Sequence, residues 1–267
     1  MESSATPLVS VLTITYNQEN YIRQAIESVL EQEIPFSYEL VIGEHHSTDN
    51  TWQIVSASRD SHPEVIRAFR SERTVGLAQH FVRTLRACRG RYVALLAGDD
   101  YWLSPDKLRK QVEVLEPHPE CAICCSRARV IYEDGSGREP WDYPVYERMT
   151  FTIADLLREN FIPECTAVFR LGLLLEIPPW FHDLPFGDWA LFVLLAQHGD
   201  IVVLPETLAA YRFHGRGLWT GQGPEEMALN RAKLQRQLAA YLPEEYSRLI
   251  REINGWTPAN PDPEGNA

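Results

Sequence analysis

The sequence predicts an α/β domain around a largely parallel sheet, and three observations carry that expectation. Strand and helix patterns alternate across the first hundred positions. The apolar run Tyr92-Val93-Ala94-Leu95-Leu96-Ala97-Gly98 reads as a buried strand that stops at two adjacent carboxylates, Asp99 and Asp100. At 267 residues the chain is also long enough to bury a full core.

The elements follow in order. Val9–Thr15 is apolar and β-branched, Tyr16-Asn17 punctuate it, and Tyr21, Ile22, Ala25, Ile26, Val29 and Leu30 recur at helical spacing. Tyr38–Gly43 reads as a second strand, Ser47-Thr48-Asp49 as turn and cap, and Thr51–Arg59 as a helix. Val65–Phe69 and Gly76–Cys88 give a third strand and helix. Ligands of such sheets bind beyond the carboxyl ends of the strands, which is where Asp99 and Asp100 fall. After Trp102 the pattern is mixed: a helix over Lys107–Leu115, a long strand over Cys121–Tyr132, and a polar loop over Glu133–Pro144 that reads as a lid. Ile153–Arg158 and Asp188–Gln197 read as helices and Ile201–Tyr211 as an edge strand. Glu225–Ile253 gives one or two amphipathic helices, whose apolar set of Met227, Leu234, Leu238, Tyr241, Leu242 and Ile250 is expected to pack back on the domain, with a homodimer face or a substrate clamp as the alternatives. Residues 1–222 then form the catalytic domain, 223–254 a helical extension and 255–267 a disordered, proline-bearing tail.

Composition narrows the function. The net charge of −12 argues against a general nucleic-acid binder. The first residues lack a basic segment followed by an apolar one, and no apolar run nears the roughly 18 residues of a membrane span, so a soluble cytoplasmic chain is expected. Five cysteines without zinc spacing read as buried, reduced thiols. His45-His46 is a poor metal pair, because neighbouring strand residues face opposite ways. Paired carboxylates beside a glycine at a strand end suit a hard cation, Mn²⁺ or Mg²⁺, whose open positions go to substrate phosphates.

Taken together these segments resemble a family 2 glycosyltransferase of the GT-A fold over roughly residues 8 to 220. The resemblance rests on an ordered set: Val9–Asn17, Ser28-Val29-Leu30-Glu31-Gln32, Ser47–Thr51, Gly98-Asp99-Asp100-Tyr101-Trp102, Lys107–Gln111, Gly187-Asp188-Trp189 and Tyr211-Arg212-Phe213-His214. It implies an inverting transfer of a sugar from a nucleoside-diphosphate donor to a glycan or small-molecule hydroxyl. Asp188 would be the general base. Thr15, Tyr16, Asn17, Glu44, His45, Gly98, Asp99 and Arg212 would bind the donor, with Arg212 as a fork for its phosphates. Asp99, Asp100 and His214 would hold the divalent cation, and Trp180, Trp189 and Trp219 would lie on the acceptor side. Two positions depart from the family pattern: Ala97 stands where an acidic residue is usual, and His45 where an aspartate accepts the uracil N3 proton. A neutral imidazole accepting that proton would keep uracil or thymine as the first expectation, while an imidazole there could equally favour another base. The rival readings are a nucleotidyltransferase and a nucleotide-sugar-binding scaffold; no Gly-x-Gly-x-x-Gly supports a dinucleotide oxidoreductase.

Overall fold

Strand β1 (Val9–Thr15) lies at the heart of the sheet, because its side chains are buried on both faces. It pairs in parallel with β2 (Tyr38–Glu44) on one side and β4 (Tyr92–Leu95) on the other. The computed structural model describes residues 6–256 apart from 147, 175, 186, 216 and 218–222. The predicted disordered tail therefore lies outside the described residues from 257 onward. With β3 (Ile66–Arg70), β5 (Tyr101–Trp102), β6 (Cys121–Tyr132), β9 (Val168–Arg170) and β10 (Asp200–Phe213), the sheet order is β3-β2-β1-β4-β9-β6-β10-β5. Strand β7 (Trp141–Tyr143) adds to β6, and β8 (Thr150–Phe151) to β10. The antiparallel β9 sits between β4 and β6, so β6 and β10 run the same way as β1 to β4 and all six carboxyl ends open on one edge.

Alternation along the strands divides the core. On β4, Val93 and Leu95 face one cluster, covered by α3 (Leu77–Leu85), α5 (Ile153–Arg158), α6 (Asp188–Ala196), α7 (Pro224–Tyr241) and α8 (Glu244–Asn254). Tyr92 and Ala94 face the other, covered by α1 (Ile22–Leu30), α2 (Thr51–Ser61) and α4 (Lys107–Leu115). Helix α6 is buried all round from Ala190 to Ala196, as its unbroken apolar run requires. Leu234, Leu238, Leu242 and Ile250 of the last two helices join the first cluster, so this hairpin packs back on the domain. All five cysteines are buried and free, and burial raises the Cys88 thiol to about 12. Among the described residues no helix is long and apolar enough to cross a membrane.

Three expectations change. The sequence shows no strand at β9, a three-residue element at the end of the largely apolar stretch that starts at Phe161. Strand β10 is not an edge: β6 lies along its length, and β8 and β5 take up its other side at Val202 and Ala209. The polar segment from Glu133 is not a free lid, because it returns as β7. There Arg129 and Thr207 hold Asp142 at 2.9 Å each, and Trp141 and Tyr143 form part of a wall.

The Lys107–Gln111 pair is a fastening rather than a site. Lys107, fully buried, donates to Gln111 Oε1 at 2.7 Å and lies 4.3 Å from the centre of the Trp102 ring. Gln111 donates in turn to the carbonyls of Cys124 and Thr166, which ties α4 to β6 and to the turn before β9. Burial lowers the Lys107 ammonium to about 7, against an unfolded value near 10.4. Between those values the unfolded chain holds a proton that the folded chain has released, so stability rises with pH. Thiol ionisation in the unfolded chain opposes this above about pH 8.5. In urea titrations, Lys107→Met should therefore remove about 1–2 kcal/mol of the stability gained between pH 7 and 8.5. An unchanged pH slope would show that Lys107 keeps its proton in the fold.

Candidate active site

The loops after β1 and β2 are fixed to each other by their own polar side chains. Ser47 Oγ accepts the Asn17 N–H at 2.9 Å, Thr51 Oγ1 accepts that of Gln18 at 2.8 Å, and Asp49 accepts from Glu19 and Thr51. Asn17 sits at φ 51°, a left-handed conformation that asparagine tolerates, and its Oδ1 accepts the Thr48 N–H at 2.8 Å. The Ser-Thr-Asp segment is thus scaffold that holds Thr15, Tyr16 and Asn17 at the rim. Beyond the strand ends lies a cavity of about 1100 Å³. Thr15–Asn17, His45, Ala97, Asp99, Tyr132 and Tyr211–His214 reach it from five strands, and α6 and α7 close it with Asp188, Trp189, Met227 and Leu234.

An acidic and a basic side chain meet in this cavity. His214 Nε2 lies 3.0 Å from Asp99 Oδ2, and Tyr21 packs against the imidazole with ring centres 4.9 Å apart. Asp188 opens α6, and Asn160 donates to its Oδ2 at 3.2 Å. Burial raises the Asp188 carboxyl above its ordinary range, against the pull of the main-chain N–H groups at the helix start. Glu164 lies in the turn Glu164–Thr166 and lines the same cavity. Burial and the Asp188 and Asp99 carboxylates push its carboxyl well up. Sequence reading passed over Glu164; its one signal is a lone carboxylate inside an apolar stretch.

Several expected donor-binding groups are turned to protein partners. Arg212, expected as a phosphate fork, has its guanidinium engaged: Nε on Glu133, Nη1 on the Asp99 carbonyl and Nη2 on Gln24, with Tyr21 and Tyr101 rings under 5 Å away. It braces the strand-end corner. Asp100, expected on the metal, is 2% exposed, and its Oδ1 accepts the Arg212 main-chain N–H at 2.8 Å. Burial and the adjacent Asp99 raise its carboxyl well above the ordinary range. Glu44, expected to face the base, is fully buried, accepting from the Ser47 N–H and pairing with Arg70 at 3.0 Å. At Gly98 the protein itself leaves no room for a side chain: a Cβ there would meet Gln18 Oε1 at 2.5 Å and Thr15 Oγ1 at 2.7 Å.

The aromatic and histidine expectations also divide. His45 reaches the cavity, but its Nε2 accepts the Val75 N–H at 2.9 Å, so the nitrogen expected to receive a base proton is already taken. Trp189 lines the cavity while donating to the Leu156 carbonyl at 2.9 Å. Trp180 instead packs into the core beside Phe181 and Tyr241, away from the cavity. Trp219 lies outside the described residues.

The comparisons agree with this architecture. The model of "Glycosyl transferase family 2" matches residues 10–174, and the chain belongs to that family. It is 38% identical over 215 residues to "Uncharacterized protein Rv1520" of Mycobacterium tuberculosis, a match covering 79% of this chain and 60% of that protein. It is 34% identical over 156 residues to the "Putative teichuronic acid biosynthesis glycosyltransferase TuaG" of Bacillus subtilis, covering 58% of this chain and 59% of that one. The chain thus spans about three fifths of the length of these relatives. Among solved structures it resembles S. aureus TarS 1-349 in complex with UDP-GlcNAc, with TM-score 0.71 at 19% identity over 92% of this chain and 71% of that one. It also resembles the mannosyltransferase PcManGT of Pyrobaculum calidifontis in complex with GDP-Man and Mn²⁺, with TM-score 0.60 at 17% identity over 94% of this chain and 81% of that one. The fold is that of the GT-A glycosyltransferases.

Proposed function

We propose that this chain transfers one sugar from a nucleoside-diphosphate donor to an acceptor hydroxyl, with inversion at the anomeric carbon and Asp188 as general base. The observation that carries the reading is one cavity with two chemically distinct parts. The Asp99–His214 pair stands at a strand end, and a carboxylate of raised proton affinity stands at the start of α6. A base titrating nearer neutrality accepts an acceptor proton more effectively than an ordinary carboxylate does. Membership of the family, and neighbours whose titles carry UDP-GlcNAc and GDP-Man, support the same class of donor.

The residues present fit a divalent cation in one way only. Among the described residues no three His, Cys, Asp or Glu side chains group as a metal cage, and Asp100, although it lines the cavity, has its Oδ1 engaged by the Arg212 main-chain N–H. Asp99 and His214 together offer one hard oxygen and one imidazole, a partial set that suits Mn²⁺ or Mg²⁺ when substrate phosphates supply further ligands. Such an ion, when bound, neutralises charge on the departing diphosphate. The chain's own residues do the rest: Asp188 takes the acceptor proton, Arg212 fixes the corner that presents Asp99, and Trp189, Tyr143 and the α7 side chains narrow the access of water.

Incubation with a nucleotide sugar and an acceptor should release nucleoside diphosphate, and NMR should show the anomeric configuration inverted. Release of monophosphate or pyrophosphate would favour the nucleotidyltransferase reading, and a retained configuration would exclude direct displacement.

A further inference from the structure

We infer that His45 reads the donor base as a hydrogen-bond donor, through Nδ1–H, and so selects a base that presents an acceptor atom rather than an N–H at that point. The inference rests on the glycosyltransferase reading above and deepens it, because it concerns which nucleotide enters that cavity.

The tautomer follows from partners that have no choice of role. A main-chain N–H can only donate, so the Val75 N–H at 2.9 Å requires a bare Nε2 on His45, and the neutral ring then carries its proton on Nδ1. The ring stays neutral near pH 7 because burial lowers its proton affinity. Its neighbour is fixed by the same logic. His80 Nε2 lies 3.0 Å from the Gly43 carbonyl, which can only accept, so that nitrogen bears the proton and Nδ1 accepts from Ser71 Oγ at 3.2 Å. His80 is sealed in the core, where burial lowers it to about 4. Two neutral rings therefore stack, with centres 4.4 Å apart and planes 16° apart; His80 cannot turn over without stranding its buried partners, and a turned His45 would give up the Val75 hydrogen bond.

His45 Nδ1 is thus the ring nitrogen left for a ligand. It has no hydrogen-bond partner among the described residues, it is not one of the sealed polar atoms, and the residue lines the cavity. Tyr16, 42% exposed, stands edge-on to His45 with ring centres 5.8 Å apart, and the apolar Ile14 and Leu77 line the same cavity. A planar base fits here, while the charged diphosphate belongs with Asp99 and His214. Cytosine presents an accepting N3, whereas uracil and thymine present N3–H, which a donor cannot satisfy; uracil can meet His45 only through a carbonyl oxygen. A site that leaves a polar group unpaired discriminates strongly against the wrong ligand.

The test is calorimetric titration of the purified chain with CDP, UDP and N3-methyl-UDP, repeated on His45→Asp, which replaces the donor by acceptors only. The expected result is that CDP binds at least as tightly as UDP and that N3-methyl-UDP binds about as well as UDP. His45→Asp should then shift the CDP-to-UDP affinity ratio toward UDP by about tenfold or more. Two results overturn the inference while leaving the glycosyltransferase reading intact. In one, the native chain prefers UDP by tenfold and rejects N3-methyl-UDP. In the other, the ratio is unchanged in His45→Asp while UDP still binds. Absence of binding by every nucleoside diphosphate, in both proteins, overturns the inference together with the function it rests on.

Discussion

Replacing Asp188 by Asn should lower turnover by about 10² to 10⁴ while leaving donor affinity and fold unchanged. The substitution is nearly isosteric and still accepts from the main-chain N–H groups at the start of α6, so the helix keeps its N-terminal anchoring. What is lost is the ability to hold a proton taken from the acceptor. The same reasoning fixes a pH signature. Asp188 works only when ionised, so kcat/KM should fall as pH drops through its pKa, and burial places that limb above the usual carboxylate range. The limb should be missing from Asp188→Asn. Steady-state kinetics across pH, with calorimetry of donor binding, check both statements; normal turnover by the variant would transfer the role to another group, with Glu164 in the same cavity the first to examine.

What was legible in the sequence was whatever depends on local pattern. The buried apolar run that stops at Asp99 and the helix that opens at Asp188 can each be read from residues a few positions apart, and each falls where it was expected. Orientation was not legible, because it is set by partners far along the chain. Arg212 looks like a phosphate fork until Gln24, Asp99 and Glu133 occupy it, the first of these 188 positions away. His45 looks like an acceptor until Val75, 30 positions on, fills its accepting nitrogen. Glu44 is drawn inward by Arg70 from the neighbouring strand. Strand β9 escaped notice for a different reason: a short apolar run has no period to distinguish strand from buried helix.

Asp99 should prove the more demanding of the two candidate metal ligands. Arg212 grips its main-chain carbonyl, not its carboxylate, so Asp99→Ala removes the charge and leaves the corner braced. Near-ultraviolet circular dichroism should therefore be unchanged. His214 Nε2 lies 3.0 Å from this carboxylate, whose loss removes the hard oxygen from the pair and leaves too weak a set to recruit Mn²⁺ or Mg²⁺ beside a diphosphate. Lewis-acid stabilisation is worth several kcal/mol, so turnover should fall by roughly 10³, and EDTA should reduce the native chain to a similar level that added Mn²⁺ restores. Donor affinity should weaken in parallel, since the phosphates share the ion. If Asp99→Ala is impaired while EDTA leaves donor binding and turnover untouched, the Asp99–His214 pair acts without a cation and the metal reading is overturned.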